Sequence, residues 1–128
     1  MKTEKSCGCI IINDNKVLLV YEKYQNFWGF PKGHVEKNET EIETATRETK
    51  EEIGLDVEIV KDTRYEFKYS IGSHIEKTCV LFLAYPKTYN IKNQENEISN
   101  SAWYTIDEAL NILPYEEQRQ ALRSIINK

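Results

Sequence analysis

Glu48, Glu51 and Glu52 stand three and four residues apart on one predicted helix, and this crowding of carboxylates constrains the chain more than any other feature. Thr40 followed three residues later by Glu43 has the form of a capping box, so the helix is expected to begin at Glu41. Gly54 ends it, because a residue without Cβ takes the left-handed C′ conformation freely. Ile42, Ala45, Thr46, Thr49 and Ile53 recur at steps of three and four and are expected to face a core. Glu41 and Thr44 fall on the acidic face. Like charges at these spacings cost a few tenths of a kcal/mol per pair, and the helix dipole opposes carboxylates near the C-terminus. A cation is expected to offset both. Arg47, four residues after Glu43 and four before Glu51, can bridge the two. Carboxylates without histidine or cysteine partners suit Mg²⁺ or Mn²⁺ rather than Zn²⁺. The plain alternative is a solvated acidic helix face.

The wider spacing argues against that alternative. Gly33, five residues, Glu39, seven residues, and then Arg47-Glu48-Thr49-Lys50-Glu51-Glu52-Ile53-Gly54-Leu55 resembles the box of the Nudix hydrolases at every fixed position. Thr49 departs from the usual aliphatic residue, but a buried threonine can bond the carbonyl four residues back. Pro31-Lys32-Gly33-His34, with Trp28 before it and Val35-Glu36 after, is similar to the asymmetric diadenosine tetraphosphate hydrolases of that family. Lys77-Thr78 resembles a lysine-threonine pair in those enzymes whose lysine contacts phosphate. Leu81 stands where they carry a tyrosine that stacks on adenine, and Tyr115 corresponds to a second stacking aromatic. Glu97, six residues before Trp103, resembles their loop glutamate, with Glu95 as its neighbour candidate.

The resemblance implies an α/β fold, the Nudix α/β/α sandwich, with a mixed β-sheet flanked by helices. It implies Mg²⁺ (or Mn²⁺) held by Glu48, Glu52 and the Gly33 carbonyl, with Glu97 a further ligand. Glu51, Glu52 and Glu97, in that order, are the candidates for the catalytic base. Lys32, His34 and Lys77 would hold phosphates, and Trp28 or Tyr115 would stack on a base. Glu39 and Arg47 are implied to be structural, tying the loop to the helix. The implied reaction is hydrolysis of a phosphoanhydride, first of all diadenosine tetraphosphate to ATP and AMP. Alternatives are an oxidised nucleoside triphosphate, the 5′ end of an RNA, or a non-catalytic nucleotide sensor, which a box missing a glutamate would favour.

The rest of the chain sets limits. Its 128 residues suit a single domain, residues 1–128, and a net charge of −4 offers no basic surface for nucleic acid beyond a terminal phosphate contact. A small nucleotide is therefore the expected partner, and oligomeric state stays open. No apolar run approaches about 18 residues and the first six are polar, so neither membrane span nor secretory signal is expected, and the cytoplasm is the expected location. Cys7, Cys9 and Cys79 lack the even count of a disulfide framework and the paired spacing of a zinc site. Strands are expected over Ser6 to Asn13, Lys16 to Glu22, Asp56 to Asp62, Arg64 to Ile71, His74 to Tyr85 and Ala102 to Thr105. An aromatic loop should join Lys23 to Pro31, and a polar loop from Lys87 to Asn100 could act as a lid. Helices are expected over Asp107 to Ile112 and from Pro114 to Ile126, the latter with a Leu122, Ile125, Ile126 core stripe.

Overall fold

The computed structural model describes residues 2–95 and 98–127. Its longest strands, β1 (Lys2–Asn13) and β7 (Ile75–Pro86), pair in parallel from Lys2 opposite Ile75 to Ile11 opposite Ala84. That ladder extends β1 four residues ahead of the expected Ser6. The leading Lys-Thr-Glu-Lys segment has no apolar pattern of its own, and its partner is remote in sequence. A hairpin leads into β2 (Lys16–Glu22) through Asp14 and Asn15, both at positive φ (51° and 62°), as residues tolerant of the left-handed region allow.

The expected aromatic loop contains two short strands. β3 (Phe27–Gly29) pairs with β2, and β4 (Lys32–His34) pairs with β1. Gly8 makes the second pairing possible: a Cβ there would collide with the Pro31 carbonyl and Lys32. Helix α1 (Glu41–Ile53) follows. Then come β5 (Val57–Ile59), shorter than expected, and β6 (Tyr65–Ile71), each antiparallel to a different half of β7. β8 (Ile98–Thr105) runs along all of β2 and begins four residues before the expected Ala102. α2 (Ile106–Ile112) and α3 (Glu116–Ile126) close the described chain.

Helices cover the sheet on both sides, so it has two cores. Cys7, Cys9 and Ile11 pack with Ala45 and Ile53 of α1, whereas Ile10 packs with Ala121, Leu122 and Ile125 of α3. This accounts for the unbroken burial of residues 6–11, since a strand covered on both faces has no solvated side. The mixed sheet and flanking helices are the α/β/α arrangement expected. No helix among the described residues is long and apolar enough to cross a membrane.

Helix α1 differs from its expected packing in one respect. The buried positions are Thr44, Ala45, Thr49, Glu52 and Ile53, while Ile42 is half exposed and Thr46 exposed. The helix is rolled so that Thr44 and Glu52 turn inward. Thr44 donates to Glu39 Oε1 at 2.7 Å and to Thr40 O at 3.1 Å, which satisfies its hydroxyl there.

Candidate active site

Both ends of α1 are fixed locally. Thr40 accepts from the Glu43 N–H at 3.0 Å, Glu43 accepts from the Thr40 N–H at 2.8 Å, and Gly54 sits at φ 76°. The capping box occupies Glu43, so Arg47 bonds elsewhere. Its guanidinium donates twice to Glu39 (2.6 and 3.0 Å), to Glu48 and Glu51 (both 3.1 Å) and to the His34 carbonyl (3.0 Å). Arg47 thereby joins the loop before the helix to two of the three clustered glutamates. Its hydrogen bonds hold the Glu39 carboxyl down to about 2, with Thr44 adding to the effect and burial opposing it.

Glu52 takes a separate path. It is 5 % exposed, and its Oε1 accepts the Lys32 backbone N–H at 3.1 Å. Burial, then the nearby charge of Glu22, pushes its carboxyl up to about 9, against the pull of Lys32. Glu22, at the end of β2, pairs through Oε1 with Lys32 Nζ at 3.8 Å, while its buried Oε2 has no hydrogen-bond partner. Burial alone would lower the Lys32 ammonium, but Glu22 and the other negative groups around it raise it above its ordinary value. The Thr49 hydroxyl does not bond the Ala45 carbonyl; the Cys9 thiol faces that carbonyl at 3.7 Å.

Alternation along β4 divides the site between the two faces of the sheet. Gly33 faces α1, and its missing side chain is what admits Glu48, because a Cβ would lie inside the Glu48 carboxylate. Lys32 and His34 face the other way. There a cavity of about 400 Å³ is lined by Phe27, Phe30, Phe67, Tyr69, Leu81 and Tyr115, with Lys32 and Gln118 also in its wall. Phe27 and Tyr115 meet edge to face at 5.3 Å. Trp28, on the opposite face of β3 from Phe27, packs edge-on between Tyr21 and Tyr104 and is not part of the lining. Lys77 lies opposite Tyr69 in the β6–β7 ladder, its side chain 12 % exposed. Glu97 lies outside the described residues.

The loop residues up to Glu95 are pinned rather than loose. Lys87 N–H donates to Asp56 O, Lys92 N–H to Ile53 O and Gln94 N–H to Glu52 O, each at 2.7 Å. The loop from Lys87 to Glu95 is thus fastened to the C-terminal end of α1 and of the segment after it, which is not the arrangement of a free lid.

Among the described residues no three acidic, histidine or cysteine side chains already converge as ligands. The donor set nonetheless fits a hard divalent cation. Glu48 presses on the Gly33 backbone, Glu52 is buried with a raised proton affinity, and Glu22 has an orphaned buried oxygen. Oxygen donors with surplus negative charge are what such an ion compensates. Glu22, Phe27, Phe67 and Tyr69 were not among the residues picked out from sequence. The alternation of Phe67 and Tyr69 along β6 was a visible signal for two of them; the placement of Glu22 beside Lys32 had none.

Comparisons with known proteins give the family. A model of the NUDIX domain matches residues 2–125. The asymmetrical bis(5′-nucleosyl)-tetraphosphatase of Mus musculus is 31% identical over 136 residues, covering 93% of this chain and 90% of that protein. The mRNA-decapping enzyme subunit 2 of Saccharomyces cerevisiae is 33% identical over 101 residues, but these are 76% of this chain and 10% of that protein. Among solved structures, a C. elegans Ap4A hydrolase in a binary complex superposes with a TM-score of 0.87 at 27% identity, covering 97% of this chain and 96% of that one. A MutT NUDIX hydrolase from Burkholderia pseudomallei gives 0.80 at 20% identity, a likeness of fold. With almost its whole length accounted for by that domain, the chain belongs to the Nudix family and is a Nudix hydrolase.

Proposed function

We propose that this Nudix hydrolase cleaves diadenosine tetraphosphate asymmetrically, to ATP and AMP, with Mg²⁺ or Mn²⁺ as its cation. The observation that carries the reading is the double role of Lys32. Its backbone N–H holds Glu52 on the carboxylate side, and its side chain stands in the wall of the aromatic cavity. A substrate with a base in that cavity would run its phosphates past Lys32 toward the carboxylates. The tetraphosphatase relatives support the choice of nucleotide.

Glu48, Glu52 and the Gly33 carbonyl would hold the cation, with Glu97 a further ligand. When bound, the cation supplies charge neutralisation for the phosphates and lowers the pKa of a water. Glu51, held by Arg47 and more than half exposed, is the first candidate to take the proton from the attacking water, ahead of Glu52 and Glu97. The water oxygen bonds to phosphorus as a bridging P–O bond breaks, and the leaving phosphate departs as an anion. Lys32, His34 and Lys77 hold phosphates. Tyr115, with Phe27 beside it, offers the stacking face; Trp28 supports the strand from behind.

Product analysis tests this reading. Purified protein with Mg²⁺ is incubated with diadenosine tetraphosphate, oxidised dGTP, ADP-ribose and triphosphorylated RNA, and the products are separated by anion exchange. ATP and AMP from the first, well above turnover of the others, is the expected result. Pyrophosphate from the dGTP analogue or the RNA instead would keep the site and replace the substrate. No product from any of them would turn the reading to a nucleotide sensor.

A further inference from the structure

Glu4 lies on β1 directly opposite Lys77 in the parallel ladder. The β4 register, Ser6 opposite His34, brings the imidazole to the same place. A single oxygen, Glu4 Oε1, stands 3.8 Å from His34 Nε2 and 3.9 Å from Lys77 Nζ, while Oε2 is 3.7 Å from Lys2 Nζ. These separations are too long for hydrogen bonds but close enough for charge to matter. Glu4 is about three-quarters buried and Lys77 more so, so bulk water screens this contact only partly. Two of the three groups proposed to receive substrate phosphate, the largely exposed His34 and the more buried Lys77, are therefore gathered around a carboxylate already, while Lys32 faces Glu22.

We infer that Glu4 is a specificity-determining residue of the phosphate site, an internal anion occupying the charge position between His34 and Lys77. The inference rests on the reading of those two residues as phosphate ligands. A phosphate approaching them meets the Glu4 charge and must displace it or bind beside it. A lone phosphate or a short polyphosphate gains little else to offset that repulsion. A dinucleotide also gains contacts in the aromatic cavity and can bear it, so Glu4 selects against small inorganic anions.

The experiment compares Glu4→Gln, Glu4→Asp and Lys77→Ala with the wild-type enzyme in Mg²⁺, using diadenosine tetraphosphate as substrate and inorganic tripolyphosphate as a competitive probe. In Glu4→Gln the inhibition constant of tripolyphosphate is expected to fall about fivefold, the size of a partly exposed charge pair. The KM for the dinucleotide falls less, and raising the salt narrows both differences. Glu4→Asp keeps the charge and stays nearer to wild type, which a simple packing role would not require. An unchanged or weakened affinity for tripolyphosphate in a folded Glu4→Gln protein overturns the inference. Lys77→Ala separates the two claims. If it weakens tripolyphosphate while Glu4→Gln changes nothing, the phosphate site stands and the role of Glu4 fails; if it too has no effect, the phosphate site at Lys77 fails and the inference with it.

Discussion

Single residues settle where charge can sit. Gly33 and Glu48 form one unit, since the space a Cβ would take is the space the carboxylate uses. Gly33→Ala is expected to displace Glu48 and cut kcat by at least an order of magnitude, with a much smaller effect on the melting temperature. Steady-state kinetics and a thermal melt on the same preparation check it. Glu52→Gln keeps the size and the Lys32 hydrogen bond while removing the carboxylate that could ionise toward the cation, so the rate should fall by orders of magnitude with the fold retained. Near wild-type turnover in saturating Mg²⁺ would remove Glu52 from the machinery. Away from the site, Arg64 first and then Lys5 hold Glu41 down to about 2, against an ordinary carboxylate value of 4.5, despite an opposing effect of burial. A depressed folded-state pKa means the contribution is fully present above about pH 4.5 and is lost as pH falls toward 2. Glu41→Gln should therefore melt with a flatter pH dependence than wild type across that window, the remaining slope including the part due to Glu39.

Among the elements, α1 carries most of the site, and its start, stop and capping are local chemistry. Thr40→Ala should cost about 1 kcal/mol of stability, read from the denaturant midpoint, because it leaves an amide at the helix start without its acceptor. The signals that define this helix lie within four residues of its ends, so both boundaries were legible in the chain. The roll of the helix was not. Whether Ile42 or Thr44 turns inward depends on where Glu39 and the β1 surface lie, and neither is encoded in the helical period. The same holds for β3 and β4. Three-residue strands have too little pattern to announce themselves, and they exist because β1 and β2 offer free edges and Gly8 admits close approach. The loop after β7 read as a polar segment that could act as a lid, yet its backbone N–H groups satisfy carbonyls at the end of α1. Side-chain polarity says nothing of where main-chain hydrogen bonds go.

The whole molecule has a two-sided plan, with carboxylates on the α1 face of the sheet and the aromatic cavity on the α3 face. β4 passes between them. Four separate stretches of chain, residues 25–32 (β3 into β4), β6, β7 and the start of α3, build the cavity, so its test belongs at this scale. Tyr115→Ala should raise the KM for the dinucleotide about tenfold, as expected for loss of one stacked base, with a smaller change in kcat. An unaltered KM would place the base elsewhere. Leu81 was read as the loss of a stacking aromatic, but the cavity it lines has Phe67 and Tyr69 in its wall. By itself the sequence determined the chemistry on offer: the capped helix, the spacing of Gly33, Glu39, Arg47, Glu48, Glu51 and Glu52, and hence the family and its α/β/α fold. Those features are short-range, and periodicity and local hydrogen bonding express them directly. Only the tertiary structure decided which aromatic faces the cavity, that Glu22 stands beside Lys32, and that Glu4 meets Lys77 and His34. Strand register brings those groups together across tens of residues, and register is set by how the whole sheet packs between its two layers of helices.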